Sequence, residues 1–215
     1  MRAVLIASGD PHPDDARWLD GADLVIAVDA GAAWLAGLGV RPDALVGDLD
    51  SVDPELVAVL EADGVAVERY PTSKDRSDTE LAIAYARRRG VSEIVLIGAF
   101  GGPRIDHEIA NVLLLSSNVE RLLLVRGQTR LTAVRGGDDL ALEGLPGALV
   151  SLFALGGDAL GVTTQGLEYP LRDEALLAGS SRGLSNVIAA KPASVGVRQG
   201  ALLVVEQPEE GDATQ

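Results

Sequence analysis

Val46-Gly47-Asp48-Leu49-Asp50-Ser51 carries the strongest signal of fold and chemistry in this chain. The apolar residues before Gly47 predict a strand, and two carboxylates one residue apart follow its end. Open α/β sheets bind ligands beyond the carboxyl ends of their strands, so these acids are expected to face a binding crevice. Carboxylates at positions i and i+2 of an extended segment lie on the same side, where they can share one hard cation.

The same stretch also has a purely structural interpretation. Ser51 or Asp53 can cap a helix whose first residue is Pro54, and the two acids are then solvated loop residues. A single Asp-x-Asp pattern favours this interpretation because the pattern is common. The choice between the two interpretations therefore depends on the rest of the chain.

Composition narrows the class of protein. The chain has 215 residues, of which 47% are hydrophobic and 23% charged, so we expect one large or two smaller globular domains. It has no cysteine, which excludes disulfides, cysteine–zinc sites and thiol nucleophiles. A net charge of −14 argues against nucleic acid as a partner, although an acidic protein can bind a polyphosphate together with cations. No apolar run approaches the roughly 20 residues of a membrane helix, so we expect no membrane partner and a cytoplasmic protein.

The first half of the chain alternates apolar runs with helical segments, which is typical of a parallel sheet. Strands are predicted at residues 3–7, 24–28, 44–46, 65–67, 93–98 and 121–125. Helices are predicted at residues 14–19, 32–38 and 54–62, after Ser77 and after Asp106. The pattern indicates an α/β domain over residues 1–126.

From about Gly127 the helical periodicity ends, and short apolar or alternating runs recur between glycines. Strands are predicted at residues 129–134, 148–154, 161–164, 195–198 and 201–205, and a helical turn at residues 172–177. This spacing predicts a small antiparallel β-sandwich domain over residues 127–208. The polar residues 209–215 are predicted to be a disordered tail.

Acidic residues recur in the first half just after strands or at helix starts: Asp29, Asp48, Asp50, Asp75, Asp78 and Asp106. Each alone has a capping or turn explanation. Together they predict one crevice with four or more carboxylates, which is costly unless cations neutralise it. Mg²⁺ bound through carboxylates and substrate phosphates is the usual solution.

The residues around the later acids have two interpretations. Ser77 and Glu80 have the S-x-x-E spacing of a capping box, so Asp78 and Glu80 can be capping residues only. Asp106 can likewise be a helix N-cap, and His107 a surface residue. Lys74 is harder to explain structurally, because it is one of two lysines in an arginine-rich chain.

The loop after the predicted strand at residues 93–98 has the features of a phosphate site. Gly101 and Gly102 allow backbone N–H groups to approach a ligand closely, and Arg104 supplies a fork for phosphate oxygens. Two common signatures are absent from the sequence: the P-loop G-x-x-x-x-G-K-[ST] and the dinucleotide G-x-G-x-x-G.

Ordered motifs over both halves of the chain resemble the thiamine pyrophosphokinase (thiamin diphosphokinase) family. The motifs are Asp29-x-Gly31, Pro42-Asp43-x-x-x-Gly47-Asp48-x-Asp50-Ser51, Lys74-Asp75-x-Ser77-Asp78-x-Glu80, Gly101-Gly102-Pro103-Arg104-Ile105-Asp106-His107-x-x-x-Asn111, Gly161-Val162-Thr163-Thr164-x-Gly166-Leu167-Glu168-Tyr169-Pro170-Leu171 and Gly183-x-Ser185-Asn186. The resemblance implies transfer of a pyrophosphoryl group from ATP to the thiamine hydroxyl, with release of AMP. It also implies a homodimer in which thiamine lies between the catalytic domain of one subunit and the β-domain of the other.

The resemblance implies a role for each motif. Mg²⁺ ligands would be Asp48, Asp50 and Asp78, which together with Asp106 would form the catalytic acids. Residues on the ATP side would be Asp29, Gly31, Lys74, Gly101, Gly102, Arg104 and Asn111. Ser185 and Asn186 would contact thiamine. The residues leave the general base open between Asp78 and Asp50.

This chain departs from the family pattern at three places. Ala30 replaces the first glycine of Asp-Gly-Gly-Ala, and Pro103 interrupts Gly-Gly-Arg. The aromatic residue near the thiamine ring has two candidates, Tyr169 and Trp34. Two alternative functions stay open on the residues alone: pyrophosphoryl transfer to another alcohol such as a hydroxymethyl-pterin, and a non-catalytic nucleotide-binding protein of the same fold.

Overall fold

The computed structural model describes residues 1–116 and 121–208. The described residues form two compact units, one of residues 1–114 and 121–127 and the other of residues 115–116 and 128–208. The tail predicted at residues 209–215 lies outside the described residues. Within the described ranges, no helix is long and apolar enough to cross a membrane.

The first unit is built on a six-stranded parallel sheet. Its strands are β1 (Arg2–Ile6), β2 (Leu24–Val28), β3 (Ala44–Gly47), β4 (Ala66–Arg69), β5 (Glu93–Ile97) and β6 (Arg121–Arg126), in the order β6-β5-β1-β2-β3-β4. A 3-10 helix (Pro13–Leu19) and the helices α1 (Gly31–Gly37), α2 (Pro54–Ala62), α3 (Asp78–Arg88) and α4 (Ile105–Leu114) connect them. The predicted α/β fold is confirmed.

Burial explains why the strands of this sheet have continuous apolar sequences. Leu5, Ile26, Leu45 and Leu96 have no exposed surface, as expected for strands covered on both faces. Helix α2 starts at Pro54 because the Asp53 carboxylate accepts the Glu55 N–H, which is the capping predicted for that segment. The loop between β3 and α2 therefore presents Asp48 and Asp50 at the carboxyl edge of the sheet.

The second unit contains two antiparallel layers. One has the order β12-β9-β14-β7, from β7 (Thr129–Arg135), β9 (Leu149–Ala154), β12 (Asn186–Val187) and β14 (Ala201–Gln207). The other has the order β11-β10-β13-β8, from β8 (Asp139–Ala141), β10 (Ala159–Gln165), β11 (Glu174–Leu176) and β13 (Ser194–Gly196). Residues of both layers, such as Val150, Leu152, Val162 and Val195, share one apolar core. The predicted β-sandwich is confirmed.

Two local predictions are wrong. The helical turn predicted at residues 172–177 is the strand β11, because burial of Leu176 in the core and pairing with β10 outweigh local preference. Helix α4 begins at Ile105, so Asp106 lies inside its first turn and is not the N-cap. The helix continues two residues further towards the glycine loop than the capping pattern suggested.

Candidate active site

The first unit contains a cavity of about 700 Å³. It lies at the carboxyl ends of β1, β2, β3 and β5, where the chain turns towards the helices α1, α3 and α4. Among its lining residues are the predicted site residues Asp29, Asp48, Asp50, Lys74, Asp78, Gly102, Arg104, Asp106 and Asn111. This is the position at which open α/β sheets bind ligands.

Asp29 supports the turn that carries the Asp-x-Asp pair. Its Oδ1 atom accepts the Leu49 N–H at 3.0 Å, and Leu49 has a left-handed backbone with φ of 64°. Gly47 has φ of 152°, and a Cβ placed on it would lie 1.8 Å from Asp29 Oδ1. Only glycine can therefore lie beside the Asp29 carboxylate. The predicted nucleotide-side residue Asp29 thus also fixes the direction of Asp48 and Asp50.

The carboxylates at this edge influence one another's protonation. Burial raises the pKa of Asp29 to about 7, the Leu49 N–H opposes that rise, and the nearby charges of Asp78 and Asp48 add to it. Asp50 donates its N–H to Asp48 Oδ1 at 3.2 Å. A side-chain hydrogen bond to Asp48 raises the pKa of Asp50, and the charge of Asp48 adds to this effect. Such an arrangement attracts cations.

Lys74 bridges two of these acids. Its Nζ atom lies 3.1 Å from Asp48 Oδ2 and 2.7 Å from Asp78 Oδ1. Burial by itself would lower the pKa of Lys74, but the hydrogen bonds to Asp78 and Asp48 outweigh it and raise the pKa above its ordinary value. Lys74 is therefore a charged member of the site.

Ser77 is the N-cap of α3, as predicted. Its Oγ atom accepts the Glu80 N–H at 3.2 Å, and the helix then begins at Asp78. Asp78 lies in the first turn, where the helix dipole favours a carboxylate, and it also faces Lys74. Capping therefore explains where Asp78 lies, while its contact with Lys74 connects it to the cavity.

We expect Ser77→Ala to lower the free energy of unfolding by about 1 kcal/mol, because it removes the acceptor for the Glu80 N–H. Turnover should fall only modestly, through loosening of Asp78. Denaturant unfolding and steady-state kinetics would measure both effects, with the exposed Ser73 as a control in Ser73→Ala. A large loss of turnover with unchanged unfolding would instead mean that Ser77 contacts substrate.

The loop between β5 and α4 holds its arginine against an acid. Arg104 Nε lies 2.9 Å from Asp106 Oδ1, and a second guanidinium nitrogen lies 2.5 Å from Oδ2. The hydrogen bond from Arg104 lowers the pKa of Asp106 to about 2. Both side chains are exposed and line the cavity, so Pro103 does not direct Arg104 away from it. The fork is available to phosphate oxygens once it leaves Asp106.

Several predicted residues have structural roles that the motifs did not reveal. A Cβ on Gly31 would lie 1.9 Å from the Ile6 carbonyl oxygen, so glycine there permits close packing of α1 on β1. Gly101 has φ of 82° and packs against Asp10, and it does not line the cavity. Asn111 donates to the Ala99 carbonyl at 3.0 Å, which ties α4 to the end of β5.

The residues that line the cavity differ from the predicted site residues at a few positions. Ala30 lines the cavity with φ of −58°, a conformation in which alanine is unstrained, so replacing the usual glycine requires no change of backbone. Asp75 is exposed and does not line the cavity. Ser8 and Gly9, which were not predicted site residues, do line it. A glycine two residues after the first predicted strand was the available signal.

In the second unit, the predicted thiamine residues lie at β12. Asn186 is buried, its Oδ1 accepts the Tyr169 N–H at 3.1 Å, and its Nδ2 donates to the Tyr169 carbonyl at 2.7 Å. Ser185 has φ of 58° and donates its N–H to Ser151 Oγ at 3.1 Å. The Tyr169 side chain is 63% exposed, whereas Trp34 packs against the core of the first unit. Asn186 thus fixes the main chain of an exposed aromatic residue.

The donor chemistry of the first unit fits Mg²⁺. In residues 1–116 and 121–208, no three His, Asp or Glu side chains converge closely enough to enclose a metal by themselves. Mg²⁺ commonly binds through one or two carboxylates and completes its shell with water and substrate phosphates. The carboxylate oxygens of Asp48, Asp50 and Asp78 are suitable ligands of this kind, and their assignment stays a prediction.

Family models match segments in both halves of the chain. The family model described as "Thiamin pyrophosphokinase, catalytic domain" matches residues 16–124, and "Thiamin pyrophosphokinase, vitamin B1 binding domain" matches residues 140–202. The chain is 26% identical over 211 residues to a thiamine pyrophosphokinase of Bacillus subtilis, covering 95% of this chain and 98% of the relative. It is 27% identical over 158 residues to thiamine pyrophosphokinase 1 of Oryza sativa, covering 69% of this chain and 60% of the relative.

Solved structures show the same similarity. The thiamine pyrophosphokinase of Bacillus subtilis superposes with a TM-score of 0.84 at 26% identity, over 97% of this chain and 99% of that one. The thiamin pyrophosphokinase of Geobacillus thermodenitrificans gives 0.82 at 27% identity, over 98% and 99%. Because the two family models together match well over half of the residues in the expected order, the chain belongs to the thiamin pyrophosphokinase family.

Proposed function

We propose that this protein transfers the pyrophosphoryl group of ATP to the hydroxyl of thiamine, giving thiamine diphosphate and AMP. The observation that carries the proposal is the cavity of about 700 Å³ in the part of the chain that the catalytic-domain model matches. There Asp48 and Asp50, at the end of β3, lie on the same cavity as Asp78, at the start of α3.

The residues suit the chemical demands of this transfer. Attack at the β-phosphorus needs neutralised phosphate charge, aligned donor and acceptor, and removal of the alcohol proton. Lys74 and Arg104 offer cationic groups to the phosphates, and Asp50 or Asp78 can accept the proton. We propose Asp48, Asp50 and Asp78 as the ligands of Mg²⁺, which would supply further charge neutralisation when bound.

Tyr169 is the aromatic residue that we propose for the thiamine ring. Its main chain is held on both sides by Asn186, and its side chain is 63% exposed. An aromatic pair contributes about 0.5–1.5 kcal/mol beyond the area it buries, so we expect Tyr169→Ala to raise the KM for thiamine about tenfold. Tyr169→Phe should stay near the wild-type value. Equal KM values for the alanine variant and the wild type in steady-state assays would exclude this role.

We further propose a homodimer with a shared active site. On α4, the apolar side chains Ile105, Ile109 and Leu113 are 72%, 55% and 57% exposed and recur every fourth residue, which gives one apolar stripe. The second unit exposes Tyr169 and Leu184 in the same way, at 63% and 54%. A second copy that covers such surfaces removes apolar area from water. Because ATP is the co-substrate, we also propose a cytoplasmic location.

An acceptor comparison tests the proposed function against its alternatives. The protein is incubated with ATP and Mg²⁺, and with thiamine, a hydroxymethyl-pterin or no acceptor. We expect AMP and thiamine diphosphate to form only when thiamine is present. Release of AMP with the pterin but not with thiamine would show that the protein is a pyrophosphokinase for another alcohol. Binding of ATP without AMP release under any condition would support a non-catalytic nucleotide-binding protein.

A further inference from the structure

We propose that Lys74 is an exchangeable counter-ion of the site. Its ammonium and a divalent cation compete for Asp48 and Asp78, and Lys74 moves from these carboxylates to the phosphates when nucleotide and cation bind. The proposal deepens the proposed function, because it concerns the same site and the same ATP.

The contacts of Lys74 place its charge between two acids that belong to different elements. Nζ is 2.7 Å from Asp78 Oδ1 and 3.1 Å from Asp48 Oδ2. The exposed fractions of the three side chains are 13% for Lys74, 11% for Asp48 and 21% for Asp78. Partial burial strengthens these attractions relative to a surface pair. One ammonium therefore links the end of β3 to the start of α3.

The ammonium of Lys74 offsets part of the negative charge of the three acids in the cavity. Asp48, Asp50 and Asp78 line one cavity, and Lys74 is the cation directly paired with two of them. Without this ammonium the acids repel one another, so the protein loses stability when no divalent cation is added. The same loss leaves both carboxylates open to a divalent cation. If Lys74 is a counter-ion, its removal should therefore destabilise the cation-free protein and at the same time tighten the binding of a divalent cation.

The chemistry of lysine suits exchange. Lys74 lies in the loop between β4 and α3, and lysine is used at only two positions among 18 basic residues. An ammonium on a flexible four-carbon stem can move between partners, whereas a guanidinium binds a carboxylate through a planar fork. The side chain can therefore leave Asp48 or Asp78 without a change in the backbone. A phosphate oxygen offers the displaced ammonium another anionic partner.

Substitution of Lys74 by methionine separates these effects. Mn²⁺ alone is titrated into the wild type, Lys74→Met and Lys191→Met, with free Mn²⁺ followed by electron paramagnetic resonance. Lys191 is the other lysine, donates to the Leu142 carbonyl in the second unit, and controls for the lost charge. Lys74→Met should bind Mn²⁺ about tenfold more tightly and unfold at lower denaturant than the wild type when no cation is present. Lys191→Met should match the wild type in Mn²⁺ affinity.

The proposal is overturned if Lys74→Met binds Mn²⁺ no more tightly than the wild type, including the case in which neither binds measurably. Should the variant not fold, the wild type supplies a second test. Protein carrying ¹³C-labelled lysine gives two Cε signals, and Lys191→Met identifies the one from Lys74. Adding Mg²⁺ with a non-hydrolysable ATP analogue should shift the Lys74 signal, and an unchanged signal at saturation would also overturn the proposal.

These readouts distinguish failure of the exchange from failure of the proposed function. Neither the Mn²⁺ titration nor the lysine signal involves thiamine. If exchange occurs but no thiamine diphosphate forms, the proposed function fails and the counter-ion stands. If thiamine diphosphate forms but either readout is unchanged, the counter-ion fails alone.

Discussion

Asp48→Asn and Asp50→Asn are each expected to reduce turnover about a hundredfold or more while the protein stays folded. Both acids lie in the loop after β3 and line the cavity. Asparagine keeps the size of the side chain and an oxygen that can still accept the Asp50 N–H at position 48. The substitution removes the negative charge of the carboxylate that would bind a cation. We therefore expect kcat to fall more than the free energy of unfolding.

Asp53→Asn is the matched control for these variants. Asp53 lies in the same loop, but its carboxylate caps α2 by accepting the Glu55 N–H. Asparagine caps helices as well as aspartate does, so this variant should keep wild-type turnover. Rates are measured at saturating Mg²⁺ alongside denaturant unfolding. Near-normal turnover in Asp48→Asn or Asp50→Asn would show that the residue concerned is not a cation ligand.

Mixing two impaired chains should raise activity if the active site is shared between subunits. One chain carries Asp50→Asn in the first unit and the other Tyr169→Ala in the second, assayed at thiamine concentrations below KM. Random exchange gives half heterodimers, each with one intact site, so about a quarter of wild-type activity should return. Tyr169→Ala is preferable to changes at Asn186, because the Asn186 amide is buried and holds the Tyr169 main chain.

Light scattering and an exchange control complete this experiment. Subunit exchange is verified with two differently tagged chains before activity is measured. Proven exchange without recovered activity would show that each chain builds its own site. An active monomer at assay concentration would remove the dimer altogether.

Several strands and helices of the first unit could be predicted because each has a signal in its own sequence. Strand β2 and helix α2 have the bounds that the sequence predicts, Leu24–Val28 and Pro54–Ala62. A strand covered on both faces has a continuous apolar sequence, and a helix with its own N-cap and first-turn proline carries a local start signal. The N-cap Ser77 was predictable for the same reason.

The contacts that build the site could not be predicted in the same way. Asp29 meets Leu49 across 20 positions, and Lys74 meets Asp48 across 26. The spacing of residues within one motif cannot predict contacts between residues so far apart in the sequence. These contacts depend on the order of the strands in the sheet. The prediction for strand β11 was wrong for a related reason. Its three residues form a strand because they pair with β10, and local preference does not indicate this.

The most direct test of the account follows the β-phosphorus of ATP. ATP labelled at that atom is incubated with the wild type, Mg²⁺ and thiamine, and the products are separated and counted. The account predicts that the label appears in thiamine diphosphate, with one AMP released for each molecule formed. Formation of ADP together with thiamine monophosphate, or the absence of any labelled thiamine product, would contradict it.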